Sequence, residues 1–300
     1  MRGRRSSLNS RSGMTLVELV VVLAILAMLA GIAVRSMNAA AEQVRYECTR
    51  SVLEQSRIAI LGDRMRPDHE PDHYGYFSDC GSLPSDLDDL LSKPIGITAR
   101  SLFTFDSDRD GTNDVSLSGG WNGPYLHPGV GQATIVDGWG RSITLSMDVD
   151  DLVMTSTGSD SDSTAPEDGY AADIAQRLTA NEMSGDLVCR LFAIDSLIGS
   201  RIDPSPTGTQ QLGILLYAVG AAGSVDGSVE ELLIAVPNSG SFELRHADMR
   251  VGRVAVRAIL WDDLDSDDHL DLGETIDKKS YVHYGSISGS GDLRLEMELR

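Results

Sequence analysis

From Met14 to Val34 the chain runs for 21 residues with a single charged side chain, Glu18. Coiled into a helix, that stretch spans about 31 Å, the hydrocarbon thickness of a bilayer. Four arginines (Arg2, Arg4, Arg5, Arg11) and no acidic residue precede it, which predicts a cytoplasmic amino end. A secretory signal also begins with basic residues, but its apolar core is shorter and ends at a small-residue cleavage site. Here the apolar run passes without a break into an amphipathic pattern, with Met37, Ala41, Val44, Cys48, Val52 and Ala59 at helical spacing. Glu42/Arg45, Glu47/Arg50 and Glu54/Arg57 form i,i+3 pairs on the remaining surface. No proline interrupts residues 14–66. The pattern predicts one helix from Met14 to Leu61, ended by Gly62. Its first half is apolar all round and its second half packs on a globular domain.

A carboxylate inside such a span costs energy. Glu18 therefore has two readings: a functional group, or a side chain close enough to the interface to stay hydrated. Elsewhere the charge is lopsided. Without the basic first 13 residues, 21 basic residues face 45 acidic ones, a net −24. Such a surface repels phosphate backbones, which argues against nucleic acid as a partner, and it suits divalent cations. The three cysteines, Cys48, Cys80 and Cys189, make no disulfide framework. A Cys48–Cys80 bridge and three unpaired thiols are both open on sequence grounds.

The run Gly13-Met14-Thr15-Leu16-Val17-Glu18-Leu19-Val20 closely resembles the amino-terminal signal of type IV pilins and of the pseudopilins of type II secretion. In that family a short basic leader is removed after the glycine, the new amino group is methylated, and a glutamate five residues in is retained. The resemblance implies cleavage by a prepilin peptidase between Gly13 and Met14, with Glu18 as the assembly glutamate. It also implies insertion in the inner membrane with a periplasmic globular part, and polymerisation with other pilin or pseudopilin subunits. Two departures stand out. Met14 occupies a place where phenylalanine is more common, and Gly31 falls where the family often has a proline.

Residues 63–178 fit the globular head of such a subunit. The stretch "LPSDLDDLL" (83–91) predicts a short helix. The turns "GGWNGPYL" (119–126) and "DGWG" (137–140) resemble segments of the major pseudopilin, as does "LVMTSTGSDSDSTAPEDGYAADI" (152–174), which resembles that family's calcium loop. On that likeness Asp160 and Asp173 would be calcium ligands, with backbone carbonyls completing the shell. The likeness extends from Gly13 to about Ile174 and is carried most by the amino end.

Residues 179–300 read as a β-rich unit. "LRLEMELR" (293–300) alternates Leu293, Leu295, Met297 and Leu299 on one face. In "RVAVRAILW" (253–261), Val254, Val256, Ala258 and Leu260 fall together. With "GILLYAV" (213–219), "ELLIAV" (231–236) and "YVHY" (281–284) they predict an antiparallel sandwich. The expected fold is thus α+β: leader 1–13, helix 14–62 packed on an antiparallel pilin head 63–178, then the β-rich region 179–300.

Three further motifs bear on chemistry. "DLDSDDHLDLGE" (263–274) places Asp263, Asp265, Asp267, Asp271 and Glu274 at the oxygen-ligand spacing of a calcium loop, and His269 would offer its carbonyl. Asp268 stands where glycine is usual. "DSDRDGTND" (106–114) supplies Asp106, Asp108, Asp110 and Asp114, but Leu117 sits where the twelfth-position glutamate belongs. A solvated acidic turn is the competing reading of each. "HEPDH" (69–73) satisfies the zinc-hydrolase pattern in letters only. Pro71 between the histidines and Pro67 before them break the helix that must bring His69 and His73 to one metal. The expectation is therefore a non-enzymatic fibre subunit stabilised by calcium. The alternative is a membrane-anchored calcium-binding module for adhesion or ligand capture.

Overall fold

The computed structural model describes residues 16–63, 74–129, 131–160, 169–194, 197–204, 206–221, 223–236, 242–263, 270, 274, 276–287 and 291–300. Helix α1 (Leu16–Leu61) is a single rod of 46 residues. It runs through Gly31 without interruption and closes with the Gly62 amide on the Ile58 carbonyl at 2.7 Å. Its two halves differ as expected: residues 16–41 are exposed and burial begins further along.

The face that packs is only in part the one the apolar spacing picked out: Ala59 is buried and Val52 packs against the same core, but the positions before them do not. Met37 and Val44 stay 70 % and 65 % exposed, and Cys48 is exposed too. The buried stripe is Thr49, Leu53, Ser56 and Ile60, with Ala59 and Leu61 beside it. Two of its members are polar. Each closes its hydroxyl on the preceding turn, Thr49 on the Arg45 carbonyl at 3.0 Å and Ser56 on Val52 at 2.8 Å, so neither leaves an unpaired group in the core. Small satisfied hydroxyls let the head approach the helix closely, where larger apolar side chains would hold it off.

After α1 come α2 (Tyr76–Cys80) and a 3₁₀ turn at Leu87–Leu90. That turn starts at Asp86, whose carboxylate accepts from the Asp88 and Asp89 amides. Strands β1 (Ser101–Phe105) and β2 (Val115–Gly119) form a hairpin. Strands β3 (Thr144–Asp148), β4 (Asp151–Ser156) and β5 (Ile174–Leu178) form an antiparallel sheet. Next, α3 (Ala180–Met183) leads into β6 (Ser184–Ile194), followed by β7 (Arg201–Ile202), β8 (Gln210–Val219), β9 (Val229–Val236) and β10 (Glu243–Arg250). The chain ends with β11 (Gly252–Asp262), β12 (Ile276–Lys279), β13 (His283–Ile287) and β14 (Asp292–Leu299).

Three cores hold this together. The first lies between the end of α1 and the head: Leu53 and Ile60 meet Tyr76, Leu90, Met154 and Leu178. The second lies between two sheets, β10-β6-β14 with β7, and β12-β11-β8-β9 with β13. Leu187, Leu191, Ile214, Val256, Met297 and Leu299 fill that sandwich. The third lies on the outer face of β8 and β11, where Val115 and Leu117 of β2 cover Tyr217, Ile259 and Trp261. The hairpin thus forms a third layer. Strands β8 and β11 are buried on both faces, which is why "GILLYAV" and "VAVRAILW" are apolar runs with little alternation. Among the described residues the ladders between strands are antiparallel except that of β14, which runs parallel to β6.

Candidate functional site

Two regions concentrate unusual chemistry. The first is the exposed half of α1. Leu16, Met28 and Ile32 are 80 %, 72 % and 68 % exposed, a large apolar surface that water tolerates poorly. Glu18 lies in the first turn, where the helix dipole favours a negative charge. Gly13 and Met14 lie outside the described residues.

The other half of α1 is fixed to the head by polar contacts. The Gly138 amide donates to Thr49 Oγ1 at 2.9 Å, and Trp139 Nε1 donates to Glu42 Oε2 at 2.8 Å. Asp137 organises that turn: Oδ1 accepts from the Trp139 and Arg141 amides, and Oδ2 from the Ser156 hydroxyl. Arg57 pairs with Glu182, whose carboxylate also closes a capping box with Thr179 at the start of α3. Burial weighs against the Glu182 charge, but the Thr179 amide and Arg57 together hold its carboxyl below the usual range.

The second region is the tip of the β1–β2 hairpin. One oxygen each from Asp106, Asp108 and Asp110 lie within 4.8 Å of one another, the one such cluster among the described residues. Gly111, sixth in the motif, has φ +88°, the left-handed turn that this position needs. Asp106 accepts from the Asp110 and Gly111 amides, and Asp110 from the Thr112 amide. Asp108 is drawn inward to Lys279 of β12 and Arg257 of β11. Asp114 turns inward as well, to Arg257 and to the amide and hydroxyl of Ser107. Burial opposes the charge on both aspartates. Lys279 and Arg257 outweigh it at Asp108, and Ser107 and Arg257 at Asp114, so both carboxyls titrate below the ordinary range. Asp108 Oδ1 is buried with no hydrogen-bond partner. A hard cation seeks such an oxygen, so these residues fit a divalent ion.

The other predicted ligands are placed differently. Asp160 and Asp173 are both exposed and join no such cluster among the described residues. Next to Asp160, the Arg141 guanidinium donates to the carbonyls of Gly158 and, at 2.6 Å, Ser159. Asp263 is buried, its amide on the Thr209 carbonyl at 3.1 Å, and Glu274 is half-buried. Asp265, Asp267, His269 and Asp271 lie outside the described residues, as does "HEPDH" at 69–73. Cys48, Cys80 and Cys189 are all free thiols.

One charged group escaped the sequence reading altogether. Asp79 of α2 is buried where α2, the hairpin and β11 meet. Tyr125 donates to its Oδ2 at 3.0 Å, and Arg253 Nη2 stands 3.3 Å from Oδ1. Arg253 also lies 4.4 Å above the Tyr74 ring and bonds Ser118 Oγ of β2. Burial pushes the Asp79 carboxyl up to about 6, and Arg253 and Tyr125 offset only part of that. The folded value stands above the ordinary 3.8, so folding tightens proton binding. This stabilising contribution is full below pH 3.8 and is lost as pH rises through about 6. Wild type should therefore lose about 2 kcal/mol relative to Asp79→Asn between pH 4.5 and 7.5. Urea denaturation of both proteins at the two pH values measures this. A difference that does not move with pH would show that the carboxylate is hydrated.

Comparison with known proteins adds one decisive finding. Residues 8–34 match the family model of the prokaryotic N-terminal methylation motif. The chain carries a type IV pilin-like signal. The motif implies processing by a prepilin peptidase and assembly with other pilin subunits, and the exposed apolar half of α1 is consistent with membrane anchoring. The chain matches no curated protein and no solved structure.

Proposed function

We propose that the chain is a structural subunit, not an enzyme, of a type IV pilus-like fibre or a type II secretion pseudopilus. On this reading it is cut after Gly13 and assembled through α1. Before assembly it sits in the inner membrane, amino end in the cytoplasm and head in the periplasm. The observation that carries the proposal is the methylation motif running straight into an uninterrupted helix whose apolar half is exposed and whose other half is fastened to the head. Calcium belongs to the same reading, held by the acidic segments at 106–114, 152–174 and 263–274. Magnesium should substitute poorly, because it demands a tight octahedron that flexible carboxylate loops rarely supply.

Mass spectrometry of the mature amino terminus tests the proposal. The expected species begins at N-methylated Met14. Replacing Gly13 with a bulky residue such as leucine should leave a full-length, membrane-held precursor. An intact leader on the wild-type protein would instead favour a membrane-tethered adhesion module, for which the C-terminal sandwich would be the binding domain.

A further inference from the structure

We propose that the tip of the β1–β2 hairpin is a divalent-cation site formed by Asp106, Asp108 and Asp110, and that the bound ion clasps the hairpin onto the C-terminal sandwich. This rests on the calcium reading above but commits it to one loop, a smaller ligand set and a mechanical role. Charge balance is the first argument. Among the described residues, five carboxylates meet at the tip: Asp106, Asp108, Asp110, Asp114 and Glu231. Three cations among the described residues answer them: Arg109 on Glu231, Arg257 on Asp108 and Asp114, and Lys279 on Asp108. Two negative charges are left over. They belong to Asp106 and Asp110, whose carboxylates accept backbone amides but carry no ion pair among the described residues. One divalent cation cancels that residue of charge.

Geometry is the second argument. Calcium takes oxygens at about 2.3–2.6 Å, so ligands on opposite sides of one ion stand up to roughly 5 Å apart. The three carboxylate oxygens, all within 4.8 Å of one another, meet that limit. Between the two unpaired acids sits Asp108, with a side chain only 5 % exposed and an Oδ1 that no protein group satisfies. An orphaned buried carboxylate oxygen is costly unless something cationic completes it. Asp114, the motif's ninth position, is committed to Arg257 and Ser107 and falls outside the shell.

The mechanical role follows from where the counter-charges come from. Arg257 belongs to β11, Lys279 to β12 and Glu231 to β9, so the tip is pinned to three strands of the sandwich. Without the ion, Asp106 and Asp110 repel beside those pins. With it, the tip is held beside the strands that cover Tyr217 and Trp261. Lys279, 44 % exposed, is a tethered competitor for Asp108.

The test uses the full chain in detergent micelles. Calcium titration by calorimetry gives the number of sites and their affinity, and hydrogen exchange follows amides 101–119 with calcium and with chelator. Asp106→Asn/Asp110→Asn keeps the backbone-accepting oxygens. It should bind one calcium fewer per chain, and its hairpin amides should cease to respond to calcium. Asp110→Asn alone should weaken that site about tenfold. Lys279→Met should tighten it, a change that a merely solvated acidic turn cannot produce. Asp114→Asn should retain the full number of sites. If the double variant keeps every site and its calcium-dependent hairpin protection, this assignment is overturned while calcium in the other loops stands. If the wild-type chain takes up no calcium at all, the broader calcium reading falls with it, and the fibre reading does not.

Discussion

Glu18→Val should be processed and membrane-inserted like the wild type, yet form no fibres. Glu18 is the one charge between Met14 and Val34, so replacing it with valine removes a cost of membrane insertion. Assembly is a different matter. On the proposed function, cleavage after Gly13 would create a cationic amine at Met14, and in a helical stack of subunits Glu18 of one chain would neutralise that amine on its neighbour. Both charges then leave water as a pair. Removing one partner of a buried ion pair costs about 3–5 kcal/mol because the other is left uncompensated. Repeated at every subunit contact, that cost raises the concentration needed for polymerisation by roughly a hundredfold to a thousandfold or more. Glu18→Asp keeps the charge one methylene shorter and should assemble partially. Fibre yield by electron microscopy, set beside cleavage by immunoblot, measures both. Wild-type fibre yield from Glu18→Val would return Glu18 to the reading of a hydrated interfacial side chain.

Gly138→Ala should loosen the head from the helix. A Cβ at Gly138 would fall inside contact distance of the Arg45 carbonyl on α1, and that atom belongs to a helix backbone that cannot give way. The turn must back off instead. It then gives up the Gly138–Thr49 bond at 2.9 Å and the Trp139–Glu42 bond at 2.8 Å together. The expected loss is about 3 kcal/mol, a fall of roughly 5 °C in Tm for a chain of this size. Trp139→Phe removes only the indole donor and should cost about 1 kcal/mol. Thermal unfolding of the full chain in micelles, with limited proteolysis of the head, ranks the two. A Gly138→Ala protein melting with the wild type would show that the turn adapts without losing its hold on α1.

The buried stripe on α1 shows how far sequence patterning reaches. Spacing located the helix and its end at Gly62, because length, charge and the absence of proline are local properties. It caught Val52 and Ala59 but missed the centre of the buried stripe, because Thr49 and Ser56 do not count as apolar. Their hydroxyls become core-compatible only once they bond the preceding turn, and a sequence does not show whether they will. The hairpin follows the same logic. Its aspartate spacing was legible, but the inward turn of Asp114 was not. That turn depends on Arg257, 143 residues away in the chain. A trace of it existed: Arg257 is the one charge inside "VAVRAILW", and a lone cation in an all-apolar strand needs a buried partner. Asp79 left no comparable trace in "YFSDC".

The sequence by itself determined the apolar helix, the methylation motif and the alternating strands, because each rests on the chemistry of neighbouring residues. Tertiary structure alone decided the partners. Alternation in β14 named a buried face but not the parallel pairing with β6, since a strand's inward side chains are the same whichever way its neighbour runs. It also decided that the hairpin of residues 101–119 lies over the C-terminal sheet and buries Tyr217 and Trp261. Apolar burial is non-directional. A hydrophobic strand announces that it will be covered, and only long-range packing selects what covers it.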